Sequence, residues 1–109
     1  MFERSRNFFD CHIAGFGFYD GLDVIDQLTL GAPVTLWAEP DNPCDPCAVA
    51  IYFGNTKLGY VPRAKNGILG NMLYFGHDAV FEARINSRNL ENDPERQFRI
   101  VIRLRDNRA

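Results

Sequence analysis

Cysteine and histidine are scarce in this chain, three of the one and two of the other, and the shortage rules out several kinds of protein. Three cysteines are an odd number and too few for a disulfide scaffold, which points to a reducing, cytoplasmic setting. No uninterrupted apolar run approaches the roughly 20 residues that span a bilayer, so no membrane partner is expected. The leading MFERSRNFFD is charged and then mixed, unlike a secretory leader. Positive charge is not in excess either. A net charge of −2 argues against coating nucleic acid by bulk attraction. Phosphate-cradling loops are also missing, since Gly15-Phe16-Gly17 has two glycines of a dinucleotide fingerprint and lacks the third.

What the 109 residues do contain is apolar and aromatic material, 46% and 13% of the chain. That is enough to bury a core within one domain spanning 1–109, and too much for disorder. The charge is uneven. Residues 1–83 carry five Lys/Arg against ten Asp/Glu, whereas residues 84–109 carry seven Arg against four acids. Arginine makes forked contacts to phosphate that lysine cannot, although a solvated strand face explains the same pattern.

Periodicity predicts a first strand over Asn7 to Phe16, then a glycine-bracketed turn, Gly17-Phe18-Tyr19-Asp20-Gly21. Asp23 to Leu28 is spaced for one or two helical turns. Val34 to Glu39 alternates like a half-buried strand. Pro40 to Pro46 holds three prolines, two aspartates and an asparagine and reads as a rigid loop. Cys47 to Phe53 is apolar throughout, a strand covered on both faces, and Gly54-Asn55 turns it into a short strand, Lys57 to Val61. Pro62 then opens a helix from Arg63 to Phe75, capped by Gly76. Strands Val80 to Asn86 and Gln97 to Arg105 complete the chain. About six short strands, one main helix and one small helical turn make a mainly β protein, a small antiparallel barrel.

Residues able to carry chemistry are few. Cys44 and Cys47 have a zinc-chelating spacing, but Cys11, His12 and His77 are the only further Cys or His candidates, and adjacent Cys11 and His12 should face opposite sides of a strand. The pair also runs into a strand, not into the helix N-terminus of a redox site. No metal, cofactor or catalytic residue is expected, and an enzyme has no positive support. Phe18 and Tyr19 are the better candidates. A ring exposed in such a turn can stack on an unpaired base; equally, one ring can enter the core while the other covers a loop.

Three separated blocks carry a resemblance. They are IAGFGFYDG, then LTLGAPVTLWAEPDNPCDPCAVAI, then KLGYVPR before a helix. In this order and spacing the chain resembles the HIRAN family, from Phe8 to Leu73 and more loosely to Arg105. The resemblance implies a small OB/SH3-like barrel, and at this length the stand-alone bacterial or phage type. It also implies a partner, because the characterised helicase member captures the 3′ end of single-stranded DNA, in the setting of repair or replication. Carried over by position, Phe18 and Tyr19 would stack on and line the terminal nucleotides. Asp45 of the N-P-x-D motif would bond the free 3′ hydroxyl, with Tyr60 and Arg63 bordering the site. Asn42 and Pro43 would shape the loop.

Three positions depart from the family pattern. Gly17 stands where the DNA-binding member has arginine, Cys44 replaces a tyrosine, and Cys47 replaces a common asparagine. These changes imply weaker binding or a different end preference, and leave open an alternative in which the fold serves protein–protein interaction, with a repair or replication protein as partner. For Asp45 the alternative is a loop aspartate that caps backbone N–H groups.

Overall fold

Residues 5–105 are described by the computed structural model, and they form one antiparallel six-stranded sheet with short helical segments around it. The strands are β1 (Ser5–His12), β2 (Pro33–Ala38), β3 (Val49–Phe53), β4 (Thr56–Tyr60), β5 (Phe81–Arg88) and β6 (Phe98–Arg105), in the spatial order β1-β6-β5-β2-β3-β4. Just past β1, Ala14 forms an isolated antiparallel bridge to Tyr60 at the end of β4. Its two hydrogen bonds, 2.8 and 2.9 Å, join the first strand of the sheet to the last. A barrel-like β fold results, as the spacing of short strands predicts.

Alternation is the physical reason for most of these strands. In β6, Phe98, Ile100 and Ile102 are buried, while Arg99, Val101 and Arg103 lie between them on the other face. In β2, Val34 and Leu36 are buried and Trp37 is exposed. The apolar run after Cys47 is covered on both faces, since Ala48, Val49, Ala50 and Ile51 are all buried. Each large apolar side chain removed from water contributes about 1.5–3 kcal/mol, and the core draws on every strand, with Phe16 against Phe98 at 4.9 Å. Among the described residues no helix is long and apolar enough to cross a membrane.

Two expectations need correction. The first strand ends at His12 rather than Phe16, because Gly15 turns the chain with φ of 75° and Phe16–Phe18 forms a 3₁₀ turn. The helix expected from Arg63 to Phe75 is two pieces, a 3₁₀ turn Arg63–Lys65 and α1 (Gly67–Tyr74). The break is at Asn66, a buried polar residue whose side chain reaches away to another loop. The predicted cap is present. Gly76, at φ 88°, donates to Leu73 O while His77 donates to Met72 O, the paired bonds of a glycine C-cap.

Three of the seven arginines in the arginine-rich end hold the fold. Arg84 bonds Gly31 O, Arg88 bonds the carbonyls of Ile25 and Leu28, and Arg99 pairs with Asp10. Between β2 and β5 the ladder has only two pairs, Pro33 with Arg84 and Val34 with Ala83. Beyond Val34 the strands part, and a groove of about 860 Å³ opens along that seam.

Candidate nucleic-acid interface

The loop 40–46 is built by its own side chains. Asn42 Oδ1 accepts from the backbone N–H groups of Cys44 (2.9 Å) and Asp45 (3.1 Å), the self-capping that asparagine favours in turns. Asp45 repeats the device, with Oδ1 accepting from Cys47 N at 2.9 Å. Its other oxygen accepts from Asn66 Nδ2 at 2.8 Å, with Arg63 Nε at 3.5 Å. Arg63 Nη2 in turn donates to Cys44 O at 2.6 Å. Asp45 therefore does cap backbone, and it lies beside a guanidinium that is largely solvent-exposed. The Asn66 amide, then the Cys47 N–H, hold the Asp45 carboxyl below its usual pKa, so it is an anion and an acceptor at neutral pH.

A second cluster adjoins this loop. Tyr19 meets Tyr60 edge-on, with ring centroids 5.6 Å apart. Lys57 Nζ lies 5.0 Å from the Tyr19 ring centre and 4.4 Å from that of Tyr60, within cation–π range. The same ammonium pairs with Glu39 Oε2 at 2.9 Å, and the Tyr60 hydroxyl donates to Glu39 Oε1 at 2.6 Å. Burial pushes the Glu39 carboxyl up, but bonds from Tyr60, Lys57 and Asn42 outweigh it and leave its pKa lowered. Burial opposes the charge on Lys57, yet its bonds to Tyr60 and Glu39 raise its pKa. Burial and Glu39 together push the Tyr60 phenol up to about 12. Across the physiological range the trio is thus ammonium, carboxylate and neutral phenol. Asn42 joins the two clusters, since its Nδ2 donates to Glu39 at 3.2 Å while its Oδ1 holds the loop.

The turn before these rings is shaped by the β5–β6 connection. Gly15 N donates to Glu95 Oε1 at 2.6 Å, and Glu95 Oε2 lies 3.5 Å from His12. Phe16 enters the core and Phe18, 86% exposed, does not. Of the two rings in question, neither Phe18 nor Tyr19 is buried.

Of the five expected site residues, the structure brings Tyr19 against Tyr60 and Asp45 beside Arg63, whereas Phe18 is exposed and adjoins Tyr19 only in sequence. Three further participants are not evident from the sequence. Lys57 and Tyr60 are three apart, which in a regular strand means opposite faces. A bulge between the Ile51–Gly59 and Tyr52–Lys57 pairs returns them to one face. The available signal was Gly59, a glycine inside a strand. Glu39 and Asn66 are found only through contacts across about twenty residues.

Residues 7–105 match the HIRAN domain family. The chain belongs to that family. Among solved structures, a protein from Lactobacillus plantarum is 19% identical, with a TM-score of 0.75 over 93% of this chain and 94% of the other. The HIRAN domain of human HLTF is 17% identical, with a TM-score of 0.61 over 94% of this chain and 81% of that one. At such identities the likeness is one of fold. No curated protein matches the chain. Within this HIRAN domain, the three cysteines are free thiols, and no three of His, Cys, Asp and Glu gather into a metal-binding group among the described residues.

Proposed function

We propose that this HIRAN domain is a non-enzymatic binding module for single-stranded DNA that recognises the free 3′-hydroxyl end. The observation that carries the reading is the meeting of an anionic Asp45, an exposed Arg63 and a tyrosine pair, with Asn42 bonded to both clusters. A carboxylate accepts a hydroxyl proton and repels phosphate, so it favours an end over an internal backbone position. Phe18 and Tyr19 offer faces for bases, Tyr60 backs Tyr19, and Arg63 is a cation for a phosphate. Family membership supports DNA as the ligand class.

The test is a titration of 5′-labelled oligothymidine with either a 3′-hydroxyl or a 3′-phosphate end. The hydroxyl strand should bind about tenfold tighter or more, the worth of one charge-assisted hydrogen bond. Equal affinities would defeat the reading. Its pH dependence follows from the lowered Asp45 pKa. The carboxylate persists above that value, so affinity for the 3′-hydroxyl strand should be flat from about pH 8 to 5. It should be lost only as the pH falls below the ordinary aspartate value of 3.8.

Gly17 supplies a gain-of-function test. A Cβ there would stand 3.1 Å from Pro94 Cβ, so an added side chain needs Pro94 to shift by a few tenths of an ångström. Gly17→Arg should fold, bind single strands several-fold tighter, and steepen the log-affinity against log-salt slope by roughly 0.7, as one added phosphate contact requires. An unchanged slope would mean that this turn does not face the backbone.

A further inference from the structure

Trp37 is the sole tryptophan, and it is 58% exposed. In the ladder Trp37 stands opposite Ala50, and Ala50 opposite Tyr60. Directly paired residues point to one face of a sheet, so the indole shares the outer face with Tyr60. Two strand spacings separate them, about 10 Å. The ion pair of Glu39 and Lys57 lies on this face, with its charges matched. On its other side Trp37 borders the groove where β2 parts from β5, together with Pro40 and the exposed Tyr74. Along that groove Arg84 and Arg105 are balanced by Asp78 and Glu82, so what it offers is aromatic surface rather than net charge.

Tyr19, then Tyr60, then Trp37 thus form a discontinuous row of rings, tied to the proposed end-binding loop through Glu39 and Asn42. We propose that Trp37 is a second stacking platform, taking a base upstream of the 3′-terminal nucleotide of a bound single strand. This rests on the end-binding reading and extends it, because it assigns a path to the body of the strand. Ala50, between the two aromatic positions, is itself buried, so the path runs from ring to ring across a covered position, beside the charge-matched pair of Glu39 and Lys57. A flat indole is suited to any base, so the platform carries no sequence preference.

The lone tryptophan reports on its own site. The full chain is titrated with a thymidine dinucleotide and with an octamer, both ending in a 3′ hydroxyl and both 5′-labelled, following anisotropy and tryptophan emission together. The octamer should quench Trp37 emission and the dinucleotide should not. Trp37→Ala should weaken octamer binding about tenfold while leaving the dinucleotide unaffected, and Trp37→Phe should recover most of the loss. Matching melting curves confirm that both variants fold. Octamer binding with unchanged emission and no loss in Trp37→Ala would overturn the platform and leave end recognition standing, with Trp37 then available to a protein partner. If neither oligonucleotide binds, the end-binding reading fails and the platform fails with it.

Discussion

Replacing Gly59 by alanine should lower the melting temperature by roughly 10–25 °C, the shift that about 2–4 kcal/mol produces in a domain of this size. The cause is geometric. Gly59 sits at φ 155°, where its missing Cβ would lie 2.4 Å from Ala14 O and 2.8 Å from Ile13 Cγ2. Ala14 O is the atom that accepts from Tyr60 N in the bridge joining the first strand to the last. A methyl group there must push the two segments apart or leave an unfavourable backbone conformation in place. Gly54→Ala is the control. Gly54 also has positive φ, 59°, but no atom lies within 4 Å of an added Cβ, so the cost should be the conformational one alone, about 1–2 kcal/mol. Thermal melts of the two variants decide the matter, and a Gly59→Ala melt as mild as that of Gly54→Ala would refute the steric account. Tyr60 is the next residue, so Gly59→Ala should also weaken single-strand binding.

The second large effect is on discrimination. Asp45→Asn should reduce the preference for a 3′ hydroxyl over a 3′ phosphate from tenfold or more to near unity. The substitution keeps an oxygen for Cys47 N–H, and the Asn66 amide can rotate to present its own oxygen to the new NH₂ group. The loop is thereby retained while the negative charge is removed. Asp45→Ala removes both acceptors, strands the buried Asn66 amide, and should lose loop order as well as binding. Competition titrations with the two end chemistries measure the ratio directly. A ratio unchanged in Asp45→Asn would assign Asp45 to loop capping alone.

Much of the fold is legible in the sequence, and the limits have physical causes. Phe98, Ile100 and Ile102 alternate with Arg99, Val101 and Arg103, so β6 is evident from period two, and Gly76 marks its helix end as glycine should. The strand order is not evident, because β1 pairs with β6 across nearly the whole chain. Nor could pattern choose among Phe16, Phe18 and Tyr19. A conformation that only Gly15 adopts easily turns Phe16 inward and leaves the next two rings outside. The helix from Arg63 looked continuous because Asn66 is tolerable in a helix; its role is decided by Asp45, twenty-one residues earlier. Of the candidate site, Phe18, Tyr19, Asp45, Tyr60 and Arg63 follow from the family blocks. Lys57, Glu39 and Asn66 arise from tertiary contacts that local reading does not reach.

The Ala14–Tyr60 bridge has a consequence for how binding and cohesion are linked. The rings of the proposed platform flank this seam, with Tyr19 carried by the segment just after Ala14 and Tyr60 part of the bridge itself. A strand held across both rings clasps the seam, and ligand that binds only the closed form stabilises it by mass action. Local opening at that point and release of the ligand are then one event, so the amide protons of Ala14 and Tyr60 become reporters of occupancy. On the proposed reading, the join made by a single bridge would also be the place where the ligand sits, and DNA would act as the clasp of the protein that holds it.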